Sequence, residues 1–228
     1  MDAQTAKPKI RVGRAEMDFQ HQGKVLTAVH PFYGPASSKK LQEFIRKDGL
    51  KEPTSAELAS FVHEYFHGNE PQAHEVNRIM IERFFRGFTG ILYLPKDRVA
   101  HFIDHPEFGI DSIVDKDNLL KRLSESRARV SFEHLKNLKK EPVKWNNVAK
   151  HPYFIAWAGS EEGAEKLAEL ASRHPNKEAY IRVPDVLGLS EPTARVAALG
   201  SYWGGDRLGV DSYDRGDDVD CLAFGVLK

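Results

Sequence analysis

The pattern of hydrophobic and polar residues in the first half of the chain is mainly helical. After two short apolar runs at 10–12 and 25–29, which predict strands, apolar residues recur three and four positions apart. This spacing places them on one face of a helix. We predict three helices: from Ser37 or Ser38 to before Gly49, from Thr54 to before Gly68, and from Pro71 to about Arg86.

The second of these helices has the clearest start. Thr54 and Glu57 have the spacing of a capping box, in which each side chain accepts a hydrogen bond from the backbone N–H of the other residue. Apolar residues such as Leu58, Phe61 and Tyr65 then follow at helical spacing. A start signal, a periodic apolar face and a stop signal at Gly68-Asn69 are therefore all present in one short segment.

Further along the chain, the pattern changes to short apolar runs. Segments 90–94 and 99–103 predict a β-hairpin around a turn at 95–98. The segments that follow predict a short helix over 117–126, a strand over 129–132 and a solvated, lysine-rich connection over 136–150.

The last third of the chain predicts a β-α-β unit. The apolar run 153–158 is expected to be a strand, Ser160 caps a helix that extends to about Ser172, and 179–183 is the second strand. The remaining segments predict strands joined by tight turns at 194–202, 207–211 and 219–227, with a short helix as the alternative for 194–199.

These elements predict the α+β fold class. We expect a helix-rich N-terminal lobe with a β-hairpin over residues 1–145, and a mixed-sheet C-terminal lobe with one β-α-β unit over residues 146–228. The two lobes are expected to pack into one compact body. A groove between them is then the natural place for a ligand.

Composition narrows the class of protein further. The 228 residues include 33 basic and 33 acidic side chains, so a formal net charge of zero provides no positive field for nucleic acid. A single cysteine excludes a disulfide framework. No apolar run approaches the roughly 18 residues that a membrane-spanning helix needs, and the polar start 1–8 has no apolar signal core. We therefore expect a cytoplasmic protein with no membrane partner.

One short motif contains residues that can bind a metal ion. His63-Glu64-Tyr65-Phe66-His67 fits H-E-x-x-H and resembles the signature of zinc-dependent peptidases. Residues four apart lie on one helical face, so both imidazoles can bind one Zn²⁺ while Glu64 acts as general base on a metal-bound water. The two histidines lie nearly opposite the apolar face of their helix, and therefore point to water or into a cleft.

A catalytic zinc site needs a third protein ligand. His74 is one residue later than the longer form of the motif requires, and Pro71 alters the path of the chain before it. Glu75, Glu82 and His101 are the alternatives. Because none has the expected spacing, the sequence favours solvated or capping histidines over a metal site.

Two further groups of polar residues have metal-ligand chemistry. His101, Asp104 and His105 lie at the end of the predicted hairpin, where Asp104 more simply shapes the turn before Pro106. Carboxylates suited to Ca²⁺ or Mg²⁺ cluster near the C-terminus at Asp206, Asp211, Asp214, Asp217, Asp218 and Asp220. These residues lack the order of a calcium loop and are more typical of an exposed turn. Cys221 follows in an apolar strand, where a buried and unreactive thiol is expected.

No complete catalytic constellation can be built from these residues. The predicted function is therefore a non-catalytic binding or assembly module, whose partner is an unidentified protein or small molecule. The alternative is a zinc-dependent, peptidase-like hydrolase, in which His63 and His67 hold zinc with His74 and Glu64 is the base. Zinc is the cofactor of this alternative alone.

Overall fold

Helices and strands make up similar shares of the computed structural model, which describes residues 9–11, 13–138, 141–213 and 221–228. The helices are α1 (Ser38–Lys47), α2 (Ser55–Tyr65), α3 (Pro71–Glu82), α4 (Lys116–Lys121), α5 (Phe132–Leu135), α6 (Trp145–Val148), α7 (Pro152–Ala158) and α8 (Glu161–Ser172). The strands are β1 (Lys9–Arg11), β2 (Arg14–His21), β3 (Lys24–Tyr33), β4 (Phe84–Leu94), β5 (Val99–Asp104), β6 (Ala128–Ser131), β7 (Val143–Lys144), β8 (Glu178–Tyr180), β9 (Thr193–Tyr202), β10 (Arg207–Tyr213) and β11 (Cys221–Val226). The predicted α+β class is confirmed.

One mixed sheet joins strands from distant parts of the chain. Its strand order is β1-β2-β3-β11-β4-β9-β10-β8-β7, and β5 and β6 branch from β4. Most pairs are antiparallel, whereas β11 is parallel to β4 and β10 is parallel to β8. The late strand β11 therefore lies between β3 and β4, and β9 also pairs with β4.

Each face of the sheet packs on its own set of helices, because successive residues of a strand point to opposite faces. On what we call the α2 face, Ile91 and Phe102 belong to a large core with α2, α3, α7 and α8. On the α1 face, Leu92 and Ile103 belong to a smaller core with α1 and α4. The register agrees with this division, since Ile91 lies opposite Phe102 and Leu92 lies opposite His101.

The predicted capping box is confirmed. Thr54 Oγ1 accepts a hydrogen bond from the backbone N–H of Glu57 at 3.2 Å, and Glu57 Oε2 accepts one from the backbone N–H of Thr54 at 2.7 Å. The hairpin of β4 and β5 and the Ser160 cap of α8 are confirmed as well. These are the elements for which the sequence contains a local geometric signal.

Several element predictions were wrong. Segment 153–158 lies in α7 and is not a strand, so a pair of helices, α7 and α8, leads into β8. Pro152 occupies the first turn of α7, and His151 Nδ1 accepts a hydrogen bond from the backbone N–H of Tyr153 at 3.2 Å. The third predicted helix ends at Glu82 rather than near Arg86. By contrast, 194–199 is part of strand β9, so the strand predicted there is confirmed and the helical alternative is not.

A polar network fixes α2 and α7 against the β5–β6 branch. Arg127 donates to Ser55 Oγ at 2.7 Å, to the carbonyl oxygen of Ala156 at 2.7 Å and to Asp104 Oδ1 at 3.1 Å. Thr89 Oγ1 also donates to Asp104 Oδ1 at 2.6 Å. Asp104, a candidate metal ligand in the sequence, thus neutralises a largely buried guanidinium.

Candidate ligand-binding pocket

The H-E-x-x-H helix ends before its second histidine. Tyr65 is the last residue of α2, Phe66 is extended, and the backbone of His67 has a φ of +68°. The backbone N–H of His67 donates to Asn77 Oδ1 at 2.7 Å instead of continuing the helix. Since the four-residue spacing aligns two side chains only within a helix, it does not place His63 and His67 on a common helical face.

His63 contacts α8. His63 Nε2 lies 2.6 Å from Glu169 Oε2, and the carbonyl oxygens of His63 and Phe66 accept hydrogen bonds from Arg173 Nη1 at 3.0 and 3.1 Å. Burial is the largest influence on His63 and lowers its pKa, although Glu169 opposes this effect. These contacts fasten the C-terminal end of α2 to α8, which is a structural role for His63.

The other predicted zinc residues lie near this end of α2 without completing a site. Glu64 is half-buried, and it lines a surface depression of about 410 Å³ together with His63, His67 and Arg173. His74 is exposed on α3. Within the described ranges, no group of three or more His, Cys, Asp or Glu side chains could hold a metal ion. The zinc alternative is therefore not favoured, and the roles of His63, Glu64, His67 and His74 in it stay predictions from the sequence.

The alternative third ligands have other contacts. Glu75 Oε2 lies 2.6 Å from His30 Nε2, and Glu82 accepts a hydrogen bond from Arg78 at 3.4 Å. His101 lies on β5, and His105 follows that strand with a φ of +53°. Of the acidic C-terminal group, Asp214, Asp217, Asp218 and Asp220 fall outside the described residues, whereas Asp206 and Asp211 are described.

Asp211 is fully buried in β10, in contrast to the exposed turn that we expected for this group. Its Oδ1 accepts a hydrogen bond from the backbone N–H of Arg182 at 3.1 Å, and its Oδ2 accepts one from the hydroxyl of Tyr202. Burial, the largest cause, raises the pKa of Asp211 to about 6. The carboxyl group therefore ties the chain after β8 to both β9 and β10.

The next residue, Ser212, fixes the same segment. Its backbone N–H and its hydroxyl both donate to the carbonyl oxygen of Arg182, at 3.1 and 2.8 Å. The hydroxyl of Tyr93 in turn donates to Ser212 Oγ at 2.9 Å. Burial raises the pKa of Tyr93, so this phenol stays protonated and acts as a donor. Both hydrogen bonds of Ser212 Oγ thus have a structural role, because they hold the segment after β8 against the sheet.

A pocket opens where this segment continues as the loop 181–192. It has a volume of about 450 Å³ and lies on the α2 face, because Arg195 and Ser212 are in register with Ile91 and Ala197 of that face. It is lined by Arg182, Val183, Pro184, Asp185, Gly188, Leu189, Arg195 and Ser212. Loops held on a rigid sheet commonly carry binding residues.

The lining of this pocket suits recognition of polar groups. Arg182 and Arg195 supply guanidinium donors, and Asp185 supplies a carboxylate acceptor. The guanidinium carbon of Arg182 lies 5.5 Å from the ring centroid of Tyr202. The described lining residues include neither histidine nor cysteine, so they provide no nucleophile–base pair of the usual kinds. This pocket was not predicted from the sequence, because its residues come from three separate segments without a shared motif.

No protein-family model matches the chain, and no curated protein matches its sequence. A solved structure described as "Accommodation of massive sequence variation in Nanoarchaeota by the C-type lectin fold" is similar to it, with a TM-score of 0.57. The match covers 91% of this chain and 98% of that chain at 13% sequence identity. The likeness therefore concerns the fold alone: this chain is an α+β protein whose fold is similar to the C-type lectin fold. Among the described residues, no helix is both long and apolar enough to cross a membrane.

Proposed function

We propose that this protein is a non-catalytic binding module, and that the pocket between loop 181–192 and strands β9 and β10 is its ligand site. The observation that carries this proposal is the attachment of the loop to the sheet through Asp211 and Ser212. A loop fixed in this way is already ordered before the ligand binds. Ligand binding therefore costs little free energy for ordering the loop.

The ligand proposed for this site is a small polar molecule or a polar side chain of a protein partner. Arg182 and Arg195 donate hydrogen bonds to it and Asp185 accepts them, and Leu187 on the same loop is 62% exposed and offers an adjacent apolar contact. The similarity to the C-type lectin fold supports a binding role over a catalytic one. The cytoplasmic location and the lobes 1–145 and 146–228 also remain predictions from the sequence.

Protein-observed NMR with a library of polar fragments tests this function. We expect the amide signals that shift on fragment addition to cluster in loop 181–192 and the adjoining strands. Asp185→Asn should weaken the binding of those fragments about tenfold, the effect of one charged hydrogen bond. Arg14→Ala is the matched control, because Arg14 pairs with Asp48 far from the pocket. Shifts that scatter over the surface, or that persist unchanged in Asp185→Asn, would contradict the proposal.

A further inference from the structure

A second pocket lies on the opposite face of the sheet, beside the β5–β6 branch. It has a volume of about 600 Å³ and is lined by Asp97, Arg98, Val99, His101, Arg129 and Ser131. None of these residues belongs to loop 181–192 or to the depression at the end of α2. This pocket is therefore independent of the proposed function.

The strand register explains why these side chains converge. Val99 lies opposite Ser131 and His101 lies opposite Arg129, in an antiparallel pair. Alternate residues of a strand share a face, so all four side chains are on the α1 face. The turn before β5 adds Arg98, whose φ of +53° is unusual for a residue with a side chain.

Positive charge dominates the pocket. Arg129 is exposed and makes no hydrogen bond or ion pair with any side chain in the described part of the protein. Arg98 contacts Glu133 at 3.1 Å in an exposed pair, which contributes little stability. Lys136 Nζ also lies 2.5 Å from Glu133, so Glu133 keeps a partner when Arg98 turns towards a ligand. Both guanidinium groups are thus available at small cost.

The burial of His101 is a further feature of this pocket, separate from its charge. It is only 9% exposed, yet its Nδ1 has no hydrogen-bond partner among the described groups. A buried polar atom without a partner costs about 1–3 kcal/mol, so its presence in a folded protein calls for an explanation, such as a bound water or ligand. In this pocket the imidazole lies directly across the strand pair from Arg129.

We propose that this pocket binds the phosphate group of a small polyhydroxy compound such as a sugar phosphate. Arg98 and Arg129 contact the phosphate, because guanidinium groups match the geometry of its oxygens. Asp97 accepts hydrogen bonds from hydroxyl groups of the same compound. The described lining contains no phenylalanine, tyrosine or tryptophan, and its one ring, the imidazole of His101, is nearly buried. The pocket thus lacks an exposed ring on which a nucleobase could stack, which favours a sugar over a nucleotide.

Isothermal titration calorimetry on the full chain tests this proposal with three probes: glucose 6-phosphate, inorganic phosphate and glucose. We expect glucose 6-phosphate to bind most tightly, inorganic phosphate more weakly and glucose not measurably. Arg129→Ala should weaken the binding of glucose 6-phosphate about tenfold or more without changing the unfolding temperature, since Arg129 is exposed. Arg78→Ala, which removes an exposed arginine of α3, should leave binding unchanged.

The variant Asp97→Asn tests recognition of the sugar hydroxyls separately from recognition of the phosphate. It should weaken the binding of glucose 6-phosphate but not that of inorganic phosphate, because only the sugar hydroxyls contact Asp97. Equal affinity of the wild-type protein for both probes would overturn the polyhydroxy part and leave free phosphate as the ligand. Absence of phosphate binding, or equal binding by Arg129→Ala and Arg78→Ala, would overturn the whole proposal.

Discussion

The hydroxyl of Ser55 donates a hydrogen bond to the carbonyl oxygen of Trp157 at 2.5 Å, although 102 positions separate the two residues. Ser55 is the first residue of α2, and Trp157 lies near the end of α7. Arg127 donates to both oxygen atoms, at 2.7 and 3.1 Å. One guanidinium group therefore holds the start of one helix and the end of another in fixed positions.

Removal of this guanidinium group should destabilise the protein strongly. Arg127→Ala removes the cationic partner of the Asp104 carboxylate and a charged donor to two carbonyl oxygens. We therefore expect the free energy of unfolding to fall by about 3 kcal/mol. Urea unfolding followed by circular dichroism measures this change. Arg78→Ala is the control, and its effect should stay within about 0.5 kcal/mol because Arg78 is exposed and its ion pairs with Glu75 and Glu82 lie at the protein surface. Equal effects of the two variants would disprove the assigned role.

Asp211 should make the protein less stable as the pH rises. Its pKa in the folded protein is about 6, above the value of 3.8 for an exposed aspartate, so the folded state binds a proton more tightly than the unfolded state. The stability from that proton is complete below about pH 4 and is lost as the pH rises through 6, by an amount on the order of 3 kcal/mol.

The variant Asp211→Asn isolates this effect, because asparagine has nearly the same shape and does not titrate. We expect the free energy of unfolding of Asp211→Asn, relative to wild type, to increase between pH 4 and pH 7. Urea unfolding at several pH values provides the measurement. A difference between the two proteins that stays constant over this range would show that Asp211 titrates normally.

His174 should have the opposite pH dependence. The ring is 2% exposed, its Nδ1–H donates to the carbonyl oxygen of Leu170 at 2.8 Å, and its Nε2 accepts from the hydroxyl of Ser201 at 2.8 Å. Burial lowers the pKa of His174, so the unfolded chain takes up a proton near pH 6.5 that the folded protein does not. The protein therefore loses stability as the pH falls below this value.

We expect His174→Gln to lose less stability than the wild type between pH 7 and pH 5, although it is less stable at pH 7. His74→Gln, which replaces an exposed histidine on α3, should keep the wild-type profile. The unfolding temperature measured by calorimetry at each pH compares the three proteins. If the two variants gave the same pH profile, His174 would not be the titrating group.

Added zinc should leave the unfolding temperature unchanged. His67 lies beyond the end of α2, and His63 contacts Glu169, so the pair offers no preformed site. Thermal unfolding with and without excess zinc, together with metal analysis of the purified protein, gives the measurement. Stoichiometric zinc that is lost with peptidase activity in His63→Ala would instead establish the hydrolase alternative.

The sequence predicts those elements whose signals are local. The capping box of Thr54 and Glu57 marks α2, and Ser160 marks α8. Segment 153–158 was mistaken for a strand because an apolar run without polar positions has no period to distinguish the two structures. The first-turn position of Pro152 was the signal that favours a helix there.

Long-range arrangement could not be predicted in this way. Nothing near Ser212 indicates that its hydroxyl meets the carbonyl oxygen of Arg182, because that contact depends on how β8 and β10 pair. The end of α2 before His67 was also missed, since the expected stop signal at Gly68 follows it. Both candidate pockets depend on strand register, which a single sequence specifies only weakly.

The position of β11 has a consequence for biosynthesis. Residues 221–226 are translated long after β3 and β4, yet they fill the gap between those two strands. Until they leave the ribosome, two strand edges lack the neighbour with which their backbone groups form hydrogen bonds. The sheet therefore cannot form completely before β11 has been translated, and we expect the nascent chain to depend on chaperones until then.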